Sequence, residues 1–178
     1  MEDMQTEPEL TRSTCTPQPG HYDIDVSRSS ITFRTRHMFG LAPVRGTFAV
    51  LSGSVDVAQP VAESAISAEI ATASFSTGNP QRDTVVRSAQ LLDEARFPIM
   101  TFGNGRVSAH DRAVTGELTV RDVTRPVTLA IRNVAVSEDS FSVTATVRID
   151  RTEFGVTALR GLAARYLDLS VQVRCLQR

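Results

Sequence analysis

Lysine is absent: all 19 basic residues of this 178-residue chain are arginine. Along the sequence they are scattered rather than clustered, so the bias reads as one of codon composition and not as a basic stripe. A formal net charge of −1 leaves no electrostatic footprint for nucleic acid or for an anionic membrane. No run of about 18 apolar residues occurs, which excludes a membrane-spanning helix and, with it, stable membrane insertion. Cysteine is scarce. Cys15 lies in a polar tail and Cys175 near the chain end, and no CxxC or Cys/His spacing suggests a metal. No serine or cysteine stands in a nucleophile motif. The first residues are acidic and lack an apolar stretch, unlike a secretory signal. With Met1 taken as the start, the expectation is a cytoplasmic protein in which a reducing compartment leaves the two cysteines unpaired.

What is present is alternation. A chain of this length fits one domain and can bury roughly 70% of its surface on folding. Residues 1–20 are rich in Glu, Thr, Ser, Pro and Gln without periodicity and predict a disordered arm; residues 21–178 form the folded domain. Ser30–His37 alternates, with Ile31, Phe33, Thr35 and His37 on one face and Thr32, Arg34 and Arg36 on the other. Val44–Val50 returns with Val44, Gly46, Phe48 and Val50 on one side. Ser54–Val57 and Ala65–Phe75 follow, the latter with Ile66, Ala68 and Ile70 inward. Ile99–Phe102 precedes a Gly-Asn-Gly break at 103–105, and Arg106–Ala109 with Ala113–Arg121 reads as a hairpin. Val127–Val136, Phe141–Asp150 and Tyr166–Cys175 complete the set.

One stretch breaks the pattern. Asn79 can cap a helix, Pro80 suits its first position, and Val85, Val86, Ala89 and Leu92 recur at three- and four-residue steps. Phe97-Pro98 ends the segment. Eight or nine strands with short turns and no βαβ rhythm predict an all-β, antiparallel barrel or sandwich. An eight-stranded barrel has a lumen that side chains can fill or that can hold one small ligand. The inward faces mix bulky Phe33, Phe48, Leu118 and Phe141 with small Gly46, Ala68, Gly116 and Ala145, a pattern that suits either state.

Four blocks carry a resemblance. They are Ile31–His37 with Val44–Phe48; Thr77, Arg82-Asp83, Ser88, Asp93 and Phe97–Phe102; Gly116–Val127; and Arg148–Gly155. In this order and spacing the chain resembles the YceI-like, polyisoprenoid-binding family over about residues 21–175. The resemblance implies an extended lipocalin-like, eight-stranded antiparallel β-barrel with one helix packed on it. It further implies an apolar tunnel holding a polyisoprenoid chain, and a homodimer. Many members are exported, whereas this chain is expected to stay in the cytoplasm. It also departs at Val85-Val86, where the family often has His-Leu, at Leu91-Leu92, where paired Phe is common, and at Asp122, where Gly is usual.

The tunnel lining expected on this basis is Phe33, Phe48, Ile66, Ile70, Phe102, Leu118 and Phe141 from the strands. The helical block adds Val85, Val86, Leu91 and Leu92. His37 is either a polar contact at the mouth or a satisfied barrel-end histidine. Arg82 can meet an anionic head group, since guanidinium matches phosphate geometry, while the bland reading pairs the Arg82-Asp83 step with a strand. Arg151 is expected to pin a turn that Gly155 permits. The expected function is non-catalytic carriage or sequestration of a long isoprenoid lipid, of polyprenyl or isoprenoid quinone type, with no further cofactor and no nucleic-acid partner. The alternatives are a packed barrel acting as a stress-related interaction protein and, third, a lipid-modifying enzyme.

Overall fold

The computed structural model describes residues 16–37 and 40–178, His37 by its backbone alone. Among the described residues ten strands appear in chain order: β1 Gly20–Ile24, β2 Ser30–His37, β3 Ala42–Phe48, β4 Val50–Val57, β5 Ala65–Ala71, β6 Ile99–Ser108, β7 Ala113–Val120, β8 Val123–Val136, β9 Ser140–Asp150 and β10 Tyr166–Gln177. The helix α1, Pro80–Arg87, lies between β5 and β6.

The ten segments make eight staves. β1 and β2 both lie along β10, with Ile24 opposite Cys175 and Ser30 opposite Gln172. They are one stave interrupted by the short 3₁₀ turn Val26–Arg28. β3 pairs with β2 and β4 with β1, so these two form the second stave, stepped at Ala49. Every later strand pairs antiparallel with the next, and the β1–β10 pairing closes the ring. Closure removes the exposed edges that an open sheet of this size would leave. The expected eight-stranded barrel is the fold observed.

One end of the barrel, the helix end, carries the β2–β3 hairpin, residues 72–98, the β7–β8 turn and the loop at 155–165. The other end carries residues 16–19, 58–64, the β6–β7 hairpin tip and the β8–β9 turn. The segment after β5 leaves the wall in a 3₁₀ turn, Thr72–Ser74, and Ser76 then bonds the outer edge of β3 at Thr47. The chain thus crosses the helix end before starting α1.

Several local expectations are corrected. The strand expected over Ala65–Phe75 stops at Ala71, because the backbone tightens to reach β3. The Gly-Asn-Gly break lies inside β6, where register shifts on both neighbours mark bulges and Asn104 takes φ 52°. β8 begins four residues earlier than Val127, with Pro126 opposite Glu117. β1 was not expected as a strand. The arm expected over 1–20 falls outside the described residues as far as residue 15; Thr16 and Pro17 border the barrel interior.

α1 starts as expected: the Asn79 side chain accepts the Arg82 N–H at 3.1 Å and Pro80 occupies the first turn. It ends earlier than the apolar spacing implies. Ser88 is already extended, and its hydroxyl donates to the Val85 carbonyl at 2.7 Å. Ala89, Leu91 and Leu92 therefore sit in the turns that follow. There the Leu92 N–H returns to the Val86 carbonyl (2.9 Å) and the Phe97 N–H to the Asp93 carbonyl (2.8 Å).

Candidate functional site

The inner faces of the staves enclose an apolar cavity of about 1350 Å³. Its wall runs from Val57, Ser108 and Val134 at the far end to Phe48, Val86 and Leu159 at the helix end. The packed-barrel alternative does not describe this molecule.

The reason the lumen stays open is steric. Phe33 stands directly opposite Gly46 across the β2–β3 pair, and a Cβ at Gly46 would collide with the Phe33 ring. The missing side chain lets the ring lie against the wall instead of projecting into the lumen. Gly116 does the same for Phe102. The bulky-and-small mixture read from the sequence is thus a pairing of rings with glycines. Phe33, Phe48 and Phe75 then form one aromatic cluster, with ring centroids 5.3–5.7 Å apart.

The structure places Phe33, Phe48, Ile66, Ile70, Phe102, Leu118 and Phe141 on the cavity wall, together with Val85, Val86, Leu91 and Leu92. Leu91 is buried, whereas Val85 is 43% exposed and stands at the rim. The His37 side chain lies outside the described residues. Sequence reasoning missed Phe75 and the group Phe154, Val156, Leu159 and Leu162 from the loop after β9. The signal was present: Val156–Ala164 is far more apolar than a solvent-facing loop of that length needs.

Polar groups are few and confined to the ends. Arg82 also lines the lumen, and its guanidinium donates to the Thr77 hydroxyl at 3.3 Å. The alternative pairing of the Arg82-Asp83 step with a strand is not formed, since both side chains bond Thr77, which lies outside the strands. Asp83 is buried and instead accepts both the Thr77 N–H (3.0 and 3.1 Å) and the Thr77 hydroxyl (2.6 Å). Arg82 consequently faces the lumen without a carboxylate partner among the described residues. Arg151, in contrast, is spent on structure: it donates to the carbonyls of Ala164 (2.6 Å), Val156 (2.7 Å) and Ala163 (3.2 Å). Burial draws its pKa down, and Gly155 takes φ 72° beneath it. At the far end Ser108, Arg112 and Asn133 border the opening.

Cys175 reaches the wall but is fully buried, and burial pushes its thiol up to about 12, so it stays protonated. Among the described residues no three His, Cys, Asp or Glu side chains gather as metal ligands. Among them, too, no helix is long and apolar enough to cross a membrane.

Comparison with known proteins agrees with this geometry. A YceI-like domain model matches residues 22–175. A UPF0312 protein of Enterobacter sp. (strain 638) is 31% identical over 165 residues, covering 88% of this chain and 85% of its own. Among solved structures, BcnA of Burkholderia cenocepacia superposes with a TM-score of 0.72 at 20% identity, covering 85% of this chain and 98% of its own. A polyisoprenoid binding domain from Saccharophagus degradans superposes with a TM-score of 0.70 at 15% identity, covering 90% and 100%. The wall pattern, the crossing helical segment and a match over nearly the whole barrel have one reading: this chain belongs to the YceI-like family.

Proposed function

We propose that the protein binds a long isoprenoid lipid, of polyprenyl or isoprenoid quinone type, in the barrel lumen and carries or sequesters it without catalysing a reaction. The observation that supports this most is the continuous apolar wall around about 1350 Å³. That volume exceeds the roughly 300–1,000 Å³ of small-molecule pockets, and its polar groups sit only at the ends. A hydrocarbon chain with a polar terminus has the same distribution. The structural neighbour named as a polyisoprenoid binding domain points the same way.

Arg82 is the proposed head-group contact. It is a cation with one long hydrogen bond, at the edge of an apolar tunnel, beside the Thr77 hydroxyl. Burying the five carbons of an isoprene unit contributes at most ~4 kcal/mol, at about 0.8 kcal/mol per CH₂. Affinity saturates near roughly −18 to −21 kcal/mol, and immobilising the chain offsets much of the gain. A few units therefore suffice for tight binding. Length selection then comes from where the tunnel stops.

The test is equilibrium binding of a panel of polyprenyl phosphates and isoprenoid quinones to the wild-type chain and to Phe48→Arg. The variant places a charge in the lumen and is expected to abolish loading while circular dichroism still reports a barrel. Unchanged loading in the variant, or no binding of the panel by the wild type, would sink the reading. A cytoplasmic location and a homodimeric state belong to the same proposal. Cell fractionation and analytical ultracentrifugation read them.

A further inference from the structure

The outward residues of β9, β10, β2 and β3 lie in rows across the strands. One row reads Arg148, Asp168, Arg34, Arg45. Asp168 is taken by Arg148 through two bonds, Nε–Oδ1 at 2.7 Å and Nη2–Oδ2 at 3.1 Å. Arg34 and Arg45 are left facing each other on adjacent strands. Both are exposed, and among the described residues neither makes an ion pair. Like charges directly opposite each other weaken a strand pair, so folding alone gives no reason for this arrangement.

Nearer the helix end the arginines continue. Arg36 is exposed on β2, and the adjacent Thr35 hydroxyl donates to the Tyr166 carbonyl at 2.7 Å. Tyr166 is 47% exposed, and its ring centroid lies 5.8 and 5.1 Å from the Arg148 and Arg165 guanidiniums. Just beyond, Leu41 at the hairpin tip is 84% exposed and Leu162 is 56% exposed. Leu162 also lines the lumen. An arginine face and an apolar lip therefore share the end where the tunnel wall runs out to the surface.

The geometry points to this end as a surface that docks on an anionic lipid bilayer. Arg34, Arg36 and Arg45 meet head-group phosphates, whose geometry guanidinium matches. Leu41, Leu162 and Tyr166 reach the interfacial layer, where apolar and aromatic tips are favoured. The overall charge of −1 does not oppose this, because attraction to a charged surface falls off within a Debye length and the local patch decides it. The near-neutral total conceals what the barrel gathers onto one face. The inference rests on the lipid-carrying reading for what would pass through the mouth; the docking itself does not depend on it.

The experiment is co-sedimentation of the full chain with vesicles of phosphatidylcholine alone and of phosphatidylcholine mixed with phosphatidylglycerol, at several salt concentrations. Binding is expected to the anionic vesicles only and to weaken as salt rises. Arg34→Gln with Arg45→Gln should weaken it roughly 25-fold, about fivefold per arginine. Both residues point outward, so the double variant keeps whatever lipid native mass spectrometry finds in the wild type. Equal binding to neutral vesicles, no binding to either, or a double variant that binds like the wild type would overturn the inference. So would a change of oligomeric mass in the double variant, which would assign the face to a second copy. Vesicle binding without extractable isoprenoid would instead count against the carrier function alone.

Discussion

Thr77 donates both its backbone N–H and its hydroxyl to the buried Asp83 carboxylate, which ties the segment crossing the barrel mouth to the first turn of α1. A charged acceptor with such donors is worth about 1.5–3 kcal/mol, and removing it also leaves donors unpaired. Asp83→Ala is expected to lower stability by about that amount, read as a shift in the urea midpoint at constant slope. Two other groups respond to pH with opposite sign. The hydrogen bond from Arg165, then those from Thr152, hold Asp150 down to about 2. Its contribution is full above the ordinary value of 3.8 and is lost as pH falls towards 2. The Asp56 carboxylate raises His21 above its ordinary 6.5. That contribution is full below 6.5 and is lost as pH rises through the raised value. Asp150→Asn should flatten only the acid limb of a stability–pH curve, and His21→Gln only the limb above neutrality.

At the scale of elements, the paired rings and glycines are what make a barrel of Phe-bearing strands hollow. Gly46→Ala would set a Cβ against the Phe33 ring and 2.6 Å from the Ser76 carbonyl oxygen. Overpacking of this kind costs about 1–3 kcal/mol, and the displaced ring has only the lumen to enter. The expected outcome is a lower thermal midpoint together with reduced lipid capacity, partly restored by adding Phe33→Leu. A variant with full capacity would show that the glycine serves the fold alone. Much of this level was legible in the sequence. Strict alternation placed the inward side chains Ile31, Phe33 and Thr35 of β2 and those of Phe141–Asp150 and Tyr166–Cys175, and Asn79-Pro80 placed the start of α1. The end of α1 was not legible, because Leu91 and Leu92 keep a helix-like spacing while lying in hydrogen-bonded turns. β1 was hidden by its shortness, with only Tyr22 and Ile24 facing inward. The bulges in β6 looked like a break because Gly103-Asn-Gly105 is also what a turn requires.

For the whole molecule, closure and the electrostatic face are the two properties that no local pattern contains. Closure depends on β1 meeting β10 across the full length of the chain. The arginine face depends on registers that bring Arg34, Arg45 and Arg148 into one row from three separate strands; in sequence the same residues look scattered. The central claim concerns the lumen. Its most direct test is native purification followed by organic extraction and mass spectrometry of the protein-bound fraction, with Phe48→Arg purified in parallel. The account predicts an isoprenoid species in stoichiometric amount with the wild type and none with the variant. A wild-type protein that yields no lipid, or a variant that yields the same lipid in the same amount, would contradict it.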